Sequence, residues 1–201
     1  MVNKPTDRRI LRTKRMIRDA FIEVMSHKGF EGVTVSEITE KADINRGTFY
    51  KHFRDKYDLL EKSEGETLRE ISEIIIDAEQ IHNQKDLKGY IESEPLPHIY
   101  NLITYIANHS TYIKTMLGPK GDPSFPNKLK ELIKKTILLN LGDRLKQEGV
   151  PSDYLIAYVT SANLGVIQHW LETGMDRTPK EIAHLITRFT ILGPGFEAGI
   201  Q

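Results

Sequence analysis

Residues 34–53 read TVSEITEKADINRGTFYKHF. Thr34 and Glu37 stand at the spacing of a capping box, in which a hydroxyl accepts a backbone N–H while the glutamate reaches back. Residues 43–45 are predicted to form a turn, after which Asn45 is a favourable N-cap for another helix. This stretch therefore predicts two short helices joined by a tight turn, the arrangement of a helix-turn-helix unit.

The second short helix, about residues 45–52, separates an apolar side from a polar side. Phe49 and Phe53 lie four residues apart and are expected to pack inward. Gly47 costs about 1 kcal/mol relative to alanine inside a helix, so it indicates a backbone that approaches another surface closely. The side chains left for the outer face can all donate hydrogen bonds: Arg46, Thr48, Tyr50, Lys51 and His52.

Helical periodicity extends to both sides of this unit. Upstream, residues 7–28 place Ile10, Ile17, Phe21 and Val24 on one stripe. Downstream, Asp55 is expected to cap a long helix over about 56–82. Further helices are predicted over about 97–117, 124–148, 152–174 and 179–192, and Thr178 with Glu181 is predicted to cap the last of them. Because no stretch alternates as a strand does, the predicted fold is all-α.

The predicted organisation has two parts. Residues 1–56 are expected to form a three-helix, helix-turn-helix DNA-binding domain, and the helix 56–82 links it to the rest. Residues 57–193 are expected to form a larger helical domain for dimerisation and effector binding. Residues 194–201 are expected to be a disordered tail.

Composition excludes several classes of protein. The 201 residues are 39% hydrophobic, enough for a sizeable core, but no apolar run is long enough for a membrane helix. No secretory leader is expected, because charges begin at Lys4 without a following apolar stretch. The absence of cysteine excludes disulfides, thiolate metal sites and cysteine nucleophiles, and it fits a reducing cytoplasm. A cytoplasmic protein with no cofactor is expected.

The charge distribution is uneven although the net charge is zero. Through Lys62 there are 14 Lys and Arg against 10 Asp and Glu, whereas the remainder has 14 against 18. The basic excess is sharpest at the start, where Asp7 is the only acid among Lys4, Arg8, Arg9, Arg12, Lys14, Arg15 and Arg18. Local basic density attracts phosphates, although a solvated basic helix has the same composition.

The two-helix stretch resembles the TetR family of bacterial regulators. The family pattern, a threonine-opened helix followed by a recognition helix of the form R/K-G-T-F/L-Y-x-H-F, corresponds here to Thr34–Ala42, Arg46–Phe53 and then Lys56. Asp43 departs from the family, which usually has glycine in this turn; aspartate tolerates positive φ better than most residues. The stretches 118–125 and 165–174 resemble a Gram-positive C-terminal subtype that includes a regulator of dihydroxyacetone kinase genes.

By this resemblance, the second short helix lies in the major groove of DNA. The candidates for the groove are Asn45, Arg46, Thr48 and Lys51. Of these, Arg46 and Lys51 are best placed to reach base edges, and phosphate binding is the alternative for both. Tyr50 and His52 are expected at phosphates, although packing within the protein also explains His52. Thr34 and Lys56 lie at helix N-termini, where backbone N–H groups favour the binding of anions. The implied DNA-binding residues are Thr34, Asn45, Arg46, Gly47, Thr48, Tyr50, Lys51, His52 and Lys56.

A helix-turn-helix of this size reads one half-site, so a homodimer on a near-palindromic operator is expected. The dimer surface is predicted on the helices 152–173 and 179–192, since the first is apolar on more than one stripe. An ordinary buried helix would show the same pattern. The predicted dimer residues are Leu155, Val159, Ala162, Val166 and Trp170.

The middle of the chain supplies side chains with apolar bodies and polar tips, which are typical of ligand pockets. Core packing explains the same residues. The candidates for an effector pocket are Tyr90, His98, Tyr105, His109, Tyr112, Met116 and Trp170. The sequence thus predicts a transcriptional regulator, a repressor controlled by a small molecule, with the helix 56–82 transmitting the signal.

Two other classes of function compete with this prediction. An enzyme is disfavoured, because Glu181-x-x-His184 is only one arm of a carboxylate metal site and no hydrolase, metalloprotease or phosphate-loop motif is present. No metal is expected. The other alternative is an activator controlled by a protein co-regulator, which a filled pocket and an exposed apolar patch would favour.

Overall fold

The computed structural model of the chain describes residues 5–76, 92–141 and 151–193, together with residues 195 and 199. The predicted pocket residue Tyr90, the ends of the helices predicted over 56–82 and 124–148, and most of the tail lie outside these residues. Nine helices and no strand are found in the described part, which confirms the all-α prediction. They are α1 (Pro5–Lys28), α2 (Val35–Lys41), α3 (Arg46–Tyr50), α4 (Lys56–Ile76), α5 (Pro97–Asn108), α6 (Ser110–Leu117), α7 (Phe125–Leu141), α8 (Ser152–Glu172) and α9 (Pro179–Leu192).

The chain divides into two compact units. The N-terminal unit comprises Met1–Thr67 together with Thr111–Phe125, so it includes most of α6 besides α1–α3 and the first part of α4. The C-terminal unit comprises Leu68–Ser110 and Pro126–Gln201. None of the described helices combines the length and the apolar character needed to cross a membrane.

Apolar side chains of α1–α4 form the core that holds the N-terminal unit together. Burial of each such side chain contributes about 1.5–3 kcal/mol. Ile10, predicted on the buried stripe of α1, is instead 38% exposed, and the residues on either side of it are exposed as well. The side chains with no exposed surface are Ile17, Phe21, Met25, Ile38, Phe49 and Leu59.

The turn between α2 and α3 is a Schellman motif. The N–H of Ile44 donates to the carbonyl of Thr39 at 3.0 Å, and the N–H of Asp43 donates to the carbonyl of Glu40 at 3.2 Å. Asp43 has φ 51°, the left-handed conformation that the glycine of the family pattern suggested. The carbonyls at the end of α2 are therefore satisfied, and the chain reverses directly into α3.

In the C-terminal unit, α5 packs against α9. The N–H of Leu96, just before α5, donates to the buried hydroxyl of Thr187 on α9 at 3.0 Å. Thr178 and Glu181 form the predicted capping box at the start of α9. The carboxylate of Glu181 accepts the N–H of Thr178 at 2.8 Å, and its hydrogen bonds with Thr178 lower its pKa. Glu181 thus has a structural role as part of a helix cap. Among the described residues, no cluster of side chains that could bind a metal ion occurs.

The single helix predicted over 97–117 is wrong. Two helices occupy this range and are separated at His109, whose backbone leaves helical values at φ −116° and ψ 25°. Its N–H donates to the carbonyls of Tyr105 and Ile106, and a ring nitrogen lies 2.9 Å from the Tyr105 carbonyl. The polar run 108–110 lacks the apolar periodicity that would hold a continuous helix, so the chain breaks where the two units divide.

Candidate nucleic-acid interface

Helix α3 presents polar side chains to solvent while it is anchored by two phenylalanines. Phe49 and Phe53 are 0% and 4% exposed, with ring centroids 5.7 Å apart. Arg46, Tyr50 and Lys51 are exposed. Because the two aromatic rings fix the rotation of the helix, the donor-bearing side chains form an outward face of the kind that reads a groove.

Asn45 caps α3, and its side chain crowds position 47. Its Oδ1 accepts the N–H of Thr48 at 2.8 Å and the Thr48 hydroxyl at 3.1 Å. A Cβ added to Gly47 would lie 3.3 Å from this same oxygen. Glycine therefore serves the cap as well as keeping the outer surface of the helix flat. In this conformation Asn45 and Thr48 are engaged with each other at the exposed start of α3.

The start of α2 carries a second polar cluster. Thr34 and Glu37 form the predicted capping box, and Lys28 pairs with Glu37. The hydrogen bond from Lys28, followed by that from Thr34, lowers the pKa of Glu37. On the neighbouring turn of α2, Ser36 accepts a hydrogen bond of 2.9 Å from the guanidinium of Arg46. The side chain of Arg46 therefore lies across the helix pair, exposed and held at one end only.

His52, half buried after α3, carries a lowered pKa. Desolvation by burial is the largest cause, and the positive charges of Lys14 and Lys51 add to it. Its ring centroid lies 6.4 Å from that of Phe53. The lowered pKa favours the neutral imidazole, which can still donate one ring N–H to a phosphate. Lys14 of α1 was not among the predicted site residues, yet its charge reaches this end of α3.

Lys56 holds the connection between α1 and α2. Its ammonium donates to the carbonyls of Phe30 and Glu31 at 3.1 and 2.9 Å, and it lies 4.9 Å from the centroid of the Phe30 ring. The sequence placed Lys56 at a DNA phosphate. In this structure its donors are directed at the protein, so the contacts favour a structural role.

Asp58 anchors the start of α4 from a nearly buried position, 4% exposed. Its carboxylate accepts the backbone N–H of Arg54 at 2.9 Å and the ammonium of Lys62 at 2.8 Å. The guanidinium of Arg54 lies 3.2 Å away. Asp55 accepts the N–H of Asp58 at 2.8 Å, the cap predicted from the sequence. The hydrogen bond from Lys62, and then that from the Arg54 backbone, lowers the pKa of Asp58.

We expect Asp58→Asn to lower the free energy of unfolding by about 1–2 kcal/mol at pH 7, because hydrogen bonds to a charged carboxylate are removed. The folded-state pKa lies below the unfolded value of 3.8, so the carboxylate stabilises the fold above that value and stops doing so as the pH falls through the folded pKa. Urea unfolding at several pH values measures this difference. The control is Asp19→Asn on α1; a destabilisation that is unchanged at pH 3 would contradict the role of the charge.

A loop from a distant part of the chain closes the end of α1. The ammonium of Lys120 donates to the carbonyls of Ser26 and His27, each at 2.9 Å, and the Lys120 carbonyl accepts the N–H of Phe30 at 3.1 Å. A Cβ at Gly121 would lie 2.5 Å from a carbonyl oxygen of α6, so only glycine fits there. We call the hydrogen bonds from Lys120 to the carbonyls of Ser26 and His27 the Lys120 clasp. It supplies a cation to the C-terminal end of a helix, where its dipole is negative.

Lys120→Met is expected to destabilise the N-terminal unit by about 1 kcal/mol, because it keeps the aliphatic stem but removes the donors to two helix-end carbonyls. Urea unfolding followed by circular dichroism measures the change. Lys114→Met, at an exposed cation of α6, is the matched control. Equal stability of the two variants would show that water replaces the ammonium without cost.

The predicted pocket residues fall into different units. Tyr112 and Met116 belong to the N-terminal unit, where Met116 is fully buried and burial raises the pKa of Tyr112 to about 12. In the C-terminal unit, the Tyr105 hydroxyl donates to Glu70 at 2.8 Å, and the Tyr105 ring stacks on His109 at 4.3 Å. Half-buried His98 and fully buried Trp170 also belong to this unit.

The predicted dimer residues of α8 differ in exposure. Leu155 is 39% exposed and Ala162 is exposed, whereas Val159 and Val166 are both half buried. Trp170 is 1% exposed and donates its indole N–H to the carbonyl of Arg177 at 2.9 Å, so it packs inside its own chain. The sequence analysis missed two exposed tyrosines on α8. These are Tyr154 and Tyr158, with 74% and 53% of their surface exposed.

Comparison with known proteins covers both parts of the chain. Residues 17–62 match the family model described as bacterial regulatory proteins, tetR family, and residues 93–191 match one described as transcriptional regulator C-terminal region. YxbF of Bacillus subtilis, described as an uncharacterized HTH-type transcriptional regulator, is 42% identical over 59 residues. That match spans 29% of this chain and only 16% of YxbF.

Two solved structures share the fold over nearly the whole chain. The dihydroxyacetone kinase operon activator DhaS superimposes with a TM-score of 0.56 at 18% identity, over 90% of this chain and 94% of DhaS. The transcriptional regulator FadR from Bacillus subtilis, in complex with stearoyl-CoA, gives a TM-score of 0.56 at 15% identity, over 89% of this chain and 98% of FadR. At such low sequence identities, these two matches show only that the fold is shared.

Proposed function

Because this chain belongs to the TetR family of DNA-binding transcriptional regulators, which are not enzymes, we propose that it is a cytoplasmic repressor that binds a near-palindromic operator as a homodimer. The observation that carries the proposal is the outward face of α3, where Arg46, Tyr50 and Lys51 are exposed above two buried phenylalanines. Groove-reading helices place such donors at base edges and phosphates.

Within this interface we assign different tasks to the predicted residues. Arg46 and Lys51 carry exposed charges and are proposed to contact base edges, while Tyr50 and His52 donate to phosphates. The remaining members of the predicted set contribute caps and packing contacts of α2, of α3 and of the loop before α2. They are Thr34, Asn45, Gly47, Thr48 and Lys56.

The exposed face of α8 supports dimerisation. Tyr154, Tyr158, Ala162 and Gly165 follow one another at helical spacing and are all exposed. Two exposed aromatic side chains followed by small residues suit a helix that must approach its symmetry mate closely. We propose that this face, with Leu155 and α9, forms the two-fold interface that sets the separation of the two copies of α3.

We further propose control by a small molecule bound in the C-terminal unit. A ligand changes operator affinity only as far as its own affinity differs between two arrangements of the dimer. The residues of α4 belong to both units, which makes this helix the proposed transmitter. FadR was solved with stearoyl-CoA, so stearoyl-CoA is the first probe; unchanged operator affinity would exclude it as the effector.

A second candidate is an activator controlled by a protein partner. The structural neighbour DhaS is named as an operon activator. The complete burial of Met116 and the near-complete burial of Trp170 agree with core packing at two positions proposed for a pocket. The exposed tyrosines of α8 would then contribute to a surface for another protein.

Selection of bound DNA from a random duplex library at near-physiological salt tests the proposal. We expect a palindromic sequence to be enriched, and sedimentation of the complex to show two chains on each duplex. Enrichment of a single half-site bound by one chain would contradict the dimer. Binding without any enriched sequence, weakening steeply as salt is raised, would contradict sequence-specific recognition.

A further inference from the structure

The guanidinium of Arg46 is held by a side chain of the other short helix. Arg46 is the first residue of α3, and its Nη2 donates at 2.9 Å to the Oγ of Ser36, the second residue of α2. Both residues are exposed, so this hydrogen bond joins the two helices on their solvent side. Because the cap of α2 is made by Thr34 and Glu37, the Ser36 hydroxyl is not needed to begin this helix.

The position of the Ser36 hydroxyl is fixed by the backbone around it. In the first turn of α2, Glu37 takes part in the capping box and also pairs with Lys28 of α1. The buried hydroxyl of Thr39 donates to the carbonyl of Ser36 at 3.0 Å. At the other end of α2, the Schellman motif at Asp43 leads directly into α3. The hydroxyl is therefore a fixed acceptor relative to the start of α3.

A fixed acceptor prepares an arginine side chain for binding. A long side chain on the surface samples many rotamers, and the loss of this freedom opposes association. A hydrogen bond that already restricts Arg46 reduces this cost. The guanidinium carries five N–H donors in one plane, so one donor to Ser36 leaves enough for a bidentate contact with a base. Ser36 thus restrains the side chain without using the donors that base reading requires.

We propose that Ser36 is a positioning residue that determines which base of the half-site Arg46 reads. Its hydroxyl selects one orientation of the guanidinium, and a planar donor group in one orientation matches the base edge at one place in the groove. Ser36 acts through Arg46 and needs no contact of its own with DNA. The inference rests on the proposed function and deepens it, because it applies where Arg46 contacts a base.

A double-mutant cycle in the full chain tests this inference. It compares the unsubstituted protein, Ser36→Ala, Arg46→Ala and the double variant. Fluorescence anisotropy at one salt concentration measures the affinity for the selected operator and for a scrambled duplex. Selection from the random duplex library is repeated with each single variant. Alanine is a better helix former than serine and Ser36 is exposed, so α2 is expected to remain folded; circular dichroism checks this.

Two further variants serve as controls. Ser36→Thr keeps a hydroxyl at the same position of α2. Ser124→Ala removes an exposed hydroxyl from another part of the N-terminal unit, where it donates to Asp122 at 2.6 Å. Both controls are expected to keep most of the affinity for the operator and the base preference of the unsubstituted protein.

We expect Ser36→Ala to weaken operator binding by about threefold to tenfold, the effect of losing one hydrogen bond to a charged group. Binding to the scrambled duplex should stay nearly unchanged. In the Arg46→Ala background the same substitution should have no further effect, because no guanidinium is left to position. The base preference of Ser36→Ala should broaden at the position that Arg46→Ala no longer reads and persist at the others.

Several results would overturn the inference. Equal weakening with and without Arg46 would mean that Ser36 contacts DNA itself. An equal loss on both duplexes, or a loss of preference at every base, would mean that the substitution disturbs the whole interface. Unchanged operator binding by Ser36→Ala would show that Arg46 needs no restraint. Equal affinity of the unsubstituted protein for operator and scrambled duplex overturns the proposed function, and the inference falls with it.

Discussion

Replacing Arg46 and Lys51 together with alanine is expected to weaken binding to the selected operator by about 1000-fold or more, down to the level of non-specific DNA. Both side chains are exposed on or directly after α3, and Arg46 is tied to the protein only through Ser36. A bidentate hydrogen bond to a base contributes about 1–3 kcal/mol of discrimination, and the substitution acts in both half-sites of the dimer. Fluorescence anisotropy with operator and scrambled duplex at one salt concentration measures the change.

The scrambled duplex separates base reading from phosphate binding by these two residues. If Arg46 and Lys51 read bases, the affinity of the double variant falls far more for the operator than for the scrambled sequence. An equal decrease on both duplexes, with a smaller salt slope, would assign them to phosphates instead. Lys134→Ala with Lys135→Ala removes the same charge from α7 and should leave the ratio of the two affinities unchanged.

Phe49→Ala is expected to lower the free energy of unfolding of the N-terminal unit by about 3–5 kcal/mol. The ring has no exposed surface, and it contacts Tyr50 and Phe53 with centroid separations of 5.5 and 5.7 Å. Its removal leaves a cavity under the face that we propose to read DNA, so operator binding should be abolished as well. Urea unfolding followed by circular dichroism measures the first effect.

The single tryptophan of the chain makes this experiment specific to one unit. Trp170 belongs to the C-terminal unit, so its fluorescence reports on that unit separately. We expect Phe49→Ala to shift the circular dichroism transition toward lower urea while the tryptophan transition moves much less. Phe49→Leu, which keeps most of the volume, should cost about 1 kcal/mol. An equal shift of both signals would mean that the two units unfold together.

The sequence was most informative where structure depends on residues within four positions of each other. The capping boxes that begin at Thr34 and Thr178, and the caps at Asn45 and Asp55, all occur as predicted. In each, a short polar side chain accepts a hydrogen bond from a backbone N–H of its own helix. Both partners therefore lie within a few residues of each other and can be recognised from the sequence. The inward packing of Phe49 follows from the same local reasoning.

Interactions between distant residues left no such pattern. The Lys120 clasp joins positions 94 and 93 residues apart, and a lysine in a loop carries no sign of which carbonyls it will meet. Lys56 was assigned to DNA because it begins a helix, yet its partners are two carbonyls of the preceding loop. The break at His109 was missed because a polar run of three residues, 108–110, is short enough to be taken for one exposed turn of a longer helix.

The Lys120 clasp also determines which segment must be transferred when the N-terminal unit is grafted onto another protein. It determines as well when this unit can finish folding during synthesis. A graft that transfers only residues 1–67 to another regulator would leave the carbonyls of Ser26 and His27 without their ammonium and would lack α6. On the ribosome, the same segment emerges well before residue 120, so its last stabilising contacts must wait for a later part of the chain. The N-terminal unit is therefore one compact body that is built from two separate segments of the sequence.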